Sequence, residues 1–218
     1  MTDPFITDRR ELAKVAPPKD SRYPRTNRRL DRIHEVLERR QPDLTVVLEN
    51  VHDPHNVAAV LRSCDAVGAM SVHFTLDPAT KPHRQFSRRS SGSAAKWIEA
   101  TEHASIDDCY AILREQGFSI FATGGGPSSL PMTEVDLTGP TAIVLGNEMS
   151  GLTDAAIAGA DQIVTIPMVG MIRSLNISVA CAVLLYEAYR QRDAVGLYEQ
   201  RRLTEAQIEE LAGVWEKQ

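Results

Sequence analysis

Three runs in this sequence carry more polar groups than an ordinary connection needs. They are Asn56-Val57-Ala58-Ala59-Val60-Leu61-Arg62, then Gly146-Asn147-Glu148-Met149-Ser150-Gly151, and a third from Ile166-Pro167-Met168 through Arg173-Ser174-Leu175-Asn176. The spacing of the first puts Asn56 near the start of a helix and Arg62 well into its second turn. The second is a tight polar loop directly after an apolar strand pattern. In the third, Ser174 and Asn176 flank Leu175 where a long helical pattern starts, and the free N–H groups of a helix start favour anions. Each run also has a plain reading: Asn56 as a helix cap, Gly146 as a turn, Ser174 as the cap of the long helix. All three stand at equivalent ends of successive strand patterns, which makes them candidates for one pocket.

Other chemistries lack their residues. There is no phosphate-cradling loop ending in Gly-Lys-Ser/Thr, no Cys-x-x-Cys pair and no Gly-x-Ser-x-Gly elbow. Gly124-Gly125-Gly126 follows a strand pattern but leads into a Pro/Ser loop without dinucleotide-binding spacing, and it reads as a flexible loop near a ligand. His52, Asp53 and His55 precede a helix with no further ligand group evident, so no metal is expected, and Asp53-Pro54 reads as a turn into that helix. Cys64, Cys109 and Cys181 are widely separated inside helical patterns and are expected as buried thiols.

The elements that must position these runs alternate along the chain. Strand patterns at 45–49, 71–76, 118–123, 141–145 and 162–166 are interleaved with helical ones at 54–67, 106–116, 154–158 and 175–192. That alternation predicts an α/β fold, a mostly parallel sheet with helices on both faces, whose ligand sites lie outside the carboxyl ends of the strands. A helix over 25–40 carries Leu30, Ile33, Val36 and Leu37 on one stripe. A last helix over 205–215 follows Thr204, with Gln207 three residues on, and presents Ile208, Leu211, Ala212 and Trp215 for packing on the first helix or on another subunit. The expected organisation is a flexible arm at 1–24, a basic helix at 25–43, the main domain at 44–193 and a helical extension at 194–218.

Charge is distributed unevenly. The chain carries −5 overall, yet residues 1–40 hold eleven Lys/Arg against seven Asp/Glu, and 81–96 hold five basic residues and no acid. Arginines without lysines, as at 22–40, suit bidentate phosphate contacts. No apolar run approaches the roughly 18 residues of a membrane span, and 1–14 are too charged for a signal peptide, so a cytoplasmic protein without membrane association is expected.

The three runs resemble the motifs of the SpoU, or TrmH-type, branch of the SPOUT methyltransferases. The match extends from about Arg25 through Arg202, and Ile166-Pro167-Met168 with Ser174-Leu175-Asn176-Ile177-Ser178-Val179-Ala180 is its most specific part. Arg39-Arg40-Gln41-Pro42-Asp43-Leu44-Thr45, Leu48-Glu49-Asn50-Val51-His52 and Arg62-Ser63-Cys64-Asp65-Ala66-Val67-Gly68 look like the tRNA subgroup that methylates guanosine-18 in the D-loop. One departure is Ala58, where the family usually has glycine. The resemblance implies a carboxyl-terminal deep trefoil knot, against the general expectation of unknotted chains. It also implies S-adenosylmethionine as methyl donor, a ribose 2′-hydroxyl as acceptor, tRNA as partner and a homodimer whose active site draws on both subunits. Ribosomal RNA as substrate, or a non-catalytic RNA-binding module, are the alternative readings.

By the same resemblance Leu145, Gly146, Ile166, Met168 and Leu175 hold the adenosine part of the cofactor through backbone contacts, with Thr123 on the neighbouring strand end. Arg62, Asn56, Glu148, Ser174 and Asn176 form the catalytic set. A guanidinium with a pKa above about 12 has no lone pair to accept a proton, so Arg62 is expected to grip phosphate and stabilise alkoxide charge while Asn56 and Asn176 orient the groups. The proton would leave to phosphate, water or Glu148. RNA phosphates are expected on Arg28, Arg29, Arg32, Arg39 and Arg40 of the basic helix, on Arg84, Arg88 and Arg89 of the loop, and on Arg190 and Arg192.

Overall fold

Val46-Val47-Leu48 and Ala142-Ile143-Val144-Leu145 are apolar at every position, a pattern that suits a strand covered on both faces. The computed structural model describes residues 27–76 and 94–217. It places these runs at the centre of a seven-stranded sheet built from β1 (Gln41–Glu49), β2 (Ala69–Thr75), β3 (Glu99–His103), β4 (Ser119–Thr123), β5 (Leu130–Pro131), β6 (Thr141–Leu145) and β7 (Gln162–Thr165). The strand order is β3-β2-β1-β6-β4-β7-β5 and every pairing is parallel. All carboxyl ends therefore share one edge, and β1 stands where the order turns from one direction to the other, the usual location of a ligand crevice.

Helices α1 (Asn27–Glu38), α2 (Pro54–Ala66), α3 (Ile106–Glu115), α4 (Asp154–Gly159), α5 (Ile177–Ala194) and α6 (Glu205–Trp215) surround the sheet. The alternation of β1 divides the core: Leu44, Val46 and Leu48 pack with Val57, Val60, Cys181 and Leu184 of α2 and α5. Val47 packs on the other face with Ile106, Cys109, Leu113 and Ala156 of α3 and α4. Ile33 and Leu37 of α1 meet Ile208, Ala212 and Trp215 of α6 in a separate cluster, so the expected partner of the last helix is the first. Thr204 and Gln207 form a reciprocal capping box at the start of α6. All three cysteines are buried free thiols.

Two strands were not anticipated from sequence. β3 reads Glu-Ala-Thr-Glu-His, and β5 is two residues ending in proline; both are edge strands, where polar side chains and a missing N–H are tolerated. The expected boundary at residue 43 cuts through β1, because Gln41 already pairs with Ala69. Lys81, Arg84, Arg88, Arg89 and the arm at 1–24 lie outside the described residues.

Arg40 and Arg192 correct the expected RNA-binding set. Arg192 is 0% exposed. Its guanidinium donates to Asp43 Oδ1 at 2.7 Å, to Gln41 Oε1 at 3.2 Å and to the carbonyls of Leu137, Asp43 and Gly139. Arg40 donates to Asp65 Oδ1 at 2.6 Å and to the Ala69 carbonyl at 3.0 Å, and lies 5.0 Å from the Trp215 ring centre. Both guanidiniums are occupied inside the fold, because the chain must satisfy carbonyls exposed where strands begin.

Candidate active site

Four adjacent strands, β1, β6, β4 and β7, deliver their carboxyl ends to the same edge, and the three polar runs leave from there. After β6 the chain turns sharply through Asn147 to Gly151, which bond N to O in both directions at 3.1 and 2.8 Å. A Cβ on Gly146 would collide with the backbone of Gly151 and Leu152, so glycine is required by close approach there.

On this edge Asn56, Glu148 and Asn176 come together. The Asn176 side-chain oxygen caps α5 by accepting from Ser178 N at 2.9 Å. Its Nδ2 donates to Asn56 Oδ1 at 3.1 Å, and Asn56 Nδ2 donates to Glu148 Oε1. The helix N–H groups demand an oxygen at Asn176, so both amides must point their N–H groups towards the carboxylate. The helix start is thereby wired to Glu148, whose other oxygen makes no hydrogen bond with a described residue. Asn56 stands in the first turn of α2, Glu148 in the loop after β6 and Asn176 at the cap of α5, and none is within 25 positions of another, so only the fold brings them together.

Arg62 and Ser174 stand apart. Arg62 is exposed on α2, about 9 Å along the axis from Asn56, and its side chain makes no ion pair or hydrogen bond with a described residue. Ser174 is also exposed, and Asn176 rather than Ser174 caps the long helix. α5 accordingly starts at Ile177, two residues later than its pattern suggests.

The expected cofactor residues line the same edge. Leu145 is buried and so offers backbone only; Thr123, Gly146, Ile166 and Leu175 are half-buried, and Met168 is exposed. Backbone groups of 168–175 make no hydrogen bond with a described residue. Free amides and carbonyls beside Ile166, Met168 and Leu175 fit a neutral adenine, which needs its edge read without charged side chains.

Three residues of the quoted runs, Asn147, Asn50 and Glu49, were given no role from sequence. Asn147 Nδ2 donates to the Asn50 carbonyl at 2.9 Å while its Oδ1 accepts from Met149 N and Ser150 N. Asn50 adopts a left-handed φ of 55°, a conformation asparagine tolerates better than most residues. Glu49, buried at the end of β1, accepts from Thr153 N at 2.8 Å and Thr153 Oγ1 at 2.7 Å, tying the loop that holds Glu148 to the sheet. A carboxylate at the end of an apolar strand was the available signal for Glu49.

The remaining arginines differ among themselves. The side chains of Arg28 and Arg39 are exposed without a hydrogen bond or ion pair to a described residue; Arg32 pairs with Glu35 at 2.8 Å, and Arg29 donates to the Trp215 carbonyl at 3.2 Å. Arg28, Arg29 and Arg32 border a cavity of about 910 Å³ beside Trp97 and Trp215. Arg190 is exposed but paired with Glu187, whose carboxyl is held below its ordinary pKa by that hydrogen bond.

The SpoU rRNA Methylase family model matches residues 43–186. The chain is 45% identical over 191 residues to the tRNA (guanosine(18)-2'-O)-methyltransferase of Thermus thermophilus, covering 88% of this chain and 97% of that protein. It is 45% identical to the enzyme of the same name from Escherichia coli K12, covering 84% and 80%. A 23S rRNA (guanosine-2'-O-)-methyltransferase of Pseudomonas syringae is 36% identical over 74% of this chain and 64% of its own. Among solved structures, the Aquifex aeolicus TrmH/SpoU tRNA modifying enzyme superposes with a TM-score of 0.79 at 36% identity, covering 88% and 96%. The methyltransferase AviRb of Streptomyces viridochromogenes, solved with AdoMet, gives 0.60 at 28% identity, covering 71% and 60%.

Proposed function

This chain belongs to the SpoU rRNA Methylase family, and on that premise we propose how it carries out its reaction. It transfers a methyl group from S-adenosylmethionine to the ribose 2′-hydroxyl of guanosine 18 in tRNA. The observation that carries the site assignment is the hydrogen-bonded set Asn56, Glu148 and Asn176 at the carboxyl edge of the sheet.

The cofactor supplies a methyl group already electrophilic on its sulfonium. What remains for the protein is to align the ribose oxygen and help it lose a proton. Backbone groups of Leu145, Gly146, Ile166, Met168 and Leu175, with Thr123, hold the adenosine, supported by the free amides and carbonyls along 168–175. Arg62 grips the phosphate next to the reacting ribose and stabilises charge growing on its oxygen. Asn56, itself held by Asn176, orients Glu148, whose second oxygen accepts the ribose proton. Ser174, exposed two residues before Asn176, positions the incoming ribose.

A homodimer is supported by Met149, Val169, Met171, Ile172, Val179 and Tyr186, large apolar side chains exposed on the site loops and on α5. Burial of this rim against a second copy would bring further groups to each site, including an Arg62 that has no described partner within its own chain. A knotted carboxyl-terminal segment is part of this reading and is supported by membership of the family. RNA contacts fall to Arg28, Arg29, Arg32, Arg39 and Arg190, with Arg84, Arg88 and Arg89. None of the described helices is long and apolar enough to cross a membrane, and the cytoplasm is the proposed place of action.

The test is incubation with unmodified tRNA and labelled S-adenosylmethionine, followed by nuclease mapping of the methylated ribose. One methyl group on guanosine 18 is expected. Transfer to 23S rRNA but not to tRNA would move the substrate assignment, and no transfer to either would leave an RNA-binding module.

A further inference from the structure

On the face of the sheet opposite α2 and α5, away from the three polar runs, two imidazoles and a thiol converge. His73 belongs to β2, where Val72 and Phe74 face the α2 and α5 core and His73 therefore faces α3. His103 ends β3, opposite Thr75 in the parallel register and so on the same side as His73. His73 Nδ1 and His103 Nε2 are 2.8 Å apart, and the ring centres are 5.1 Å apart. Cys109, in the first turn of α3, is fully buried, and its Sγ lies within 4.8 Å of one ring nitrogen of each histidine.

We propose that His73, His103 and Cys109 form a three-ligand site for a borderline-soft divalent ion, with Zn²⁺ the ion of choice. Two imidazoles and a thiolate are a donor set that Zn²⁺ takes and that Mg²⁺ and Ca²⁺ avoid. Zn–N distances near 2.0 Å and Zn–S near 2.3 Å place tetrahedral ligand atoms roughly 3.3–3.7 Å apart, so the three atoms need only small rotamer adjustments to reach that spacing. Burial holds both imidazoles below the ordinary histidine pKa but pushes the Cys109 thiol up to about 12, so the ion has to displace that one proton.

Binding exchanges one hydrogen bond for three coordinate bonds. The ring that donates in the His73–His103 bond moves its proton to its other nitrogen, leaving a lone pair on each facing nitrogen. The Cys109 S–H bond breaks, the sulfur keeps the electron pair for the metal, and the proton leaves to solvent. Water completes the tetrahedron through the half-exposed side of His103. The ion would clamp to helix α3 the strand β3, which among the described strands pairs with β2 alone. The proposed ligands are distinct from His52, Asp53 and His55, of which Asp53 caps the helix α2.

The experiment titrates the full-length, chelator-treated protein with Zn²⁺ against a chromophoric chelator, and with Co²⁺ as a spectroscopic probe. One ion per chain is expected, with a thiolate-to-cobalt charge-transfer band and a raised thermal midpoint. Cys109→Ser should lose the band and weaken Zn²⁺ by about 100-fold or more, since even outer partners of a ligand are worth 10–100-fold. His103→Gln, on the half-exposed ligand, should weaken Zn²⁺ similarly and provides the result if Cys109→Ser does not fold. Replacing His52 and His55 together by alanine should leave the band unchanged. Absence of stoichiometric Zn²⁺ binding, or Co²⁺ binding without the thiolate band, overturns the proposal. So does a band that survives in Cys109→Ser.

Discussion

Arg192 at the amino-terminal side of the sheet and Arg62 beyond its carboxyl edge are the same side chain under opposite conditions. Arg192 is buried, bonded to Asp43, Gln41 and three carbonyls where β1 and β6 begin. Arg202 joins it on Asp43 at 2.6 Å. Arg62 is exposed and makes no contact of this kind with a described residue. One edge satisfies its polar groups internally, while the other keeps a guanidinium, a carboxylate oxygen and the backbone of 168–175 available. A parallel sheet built this way is rigid where its strands start and receptive where they end.

The largest effect that would sharpen this contrast is on stability. Arg192→Ala removes the partner of several buried acceptors, and breaking such a pair costs about 3–5 kcal/mol. Urea unfolding should show a loss of that order. A loss below about 1 kcal/mol would mean that Arg202 alone satisfies Asp43 and that the two edges differ less than their geometry suggests.

Arg62→Ala should do the reverse. Removing one donor aimed at developing charge slows reactions by about 10²–10³. Single-turnover methyl transfer at saturating tRNA should fall by that factor while the unfolding midpoint stays in place. Arg62→Lys keeps the charge but loses the planar fork, so it should recover little. A near wild-type rate in either variant removes Arg62 from the reaction.

Asn176 lies between these extremes because it serves both the fold and the site. Asn176→Ala should cost about 1 kcal/mol as a lost helix cap and should also slow methyl transfer. Asn176→Ser restores a capping oxygen without the Nδ2 that reaches Asn56, so it should recover stability but not rate. If both recover together, Asn176 is a cap only.

The central strands and their helices were legible because their apolar patterns have only one burial solution, and 141–145 and 205–215 come out with the same limits in sequence and structure. The edge strand β3 was hidden by its charged residues, which an edge permits and a pattern search rejects. The buried arginines were misread for a related reason. Arg40 stands at the end of a run of exposed arginines, and what distinguishes it is contact with Asp65 and Ala69, 25 and 29 residues away. Sequence placed the site runs on one edge, but the order of donors from Asn176 through Asn56 to Glu148 depends on which atoms meet. No spacing encodes that.

The smallest predicted effect concerns the arginines of α1. Arg28 and Arg32 are exposed, and Arg32 has only a surface pair with Glu35, of the kind worth about 1 kcal/mol or less. Replacing both by glutamine should change stability by no more than about 0.5 kcal/mol. If they contact tRNA phosphates, each removed contact should lower the slope of log affinity against log salt by about one, and affinity should weaken similarly for all tRNAs that bind. Cofactor affinity should stay constant, because α1 packs against α6 rather than the carboxyl edge. An unchanged salt slope would leave tRNA binding to other basic segments and make α1 a structural partner of the last helix.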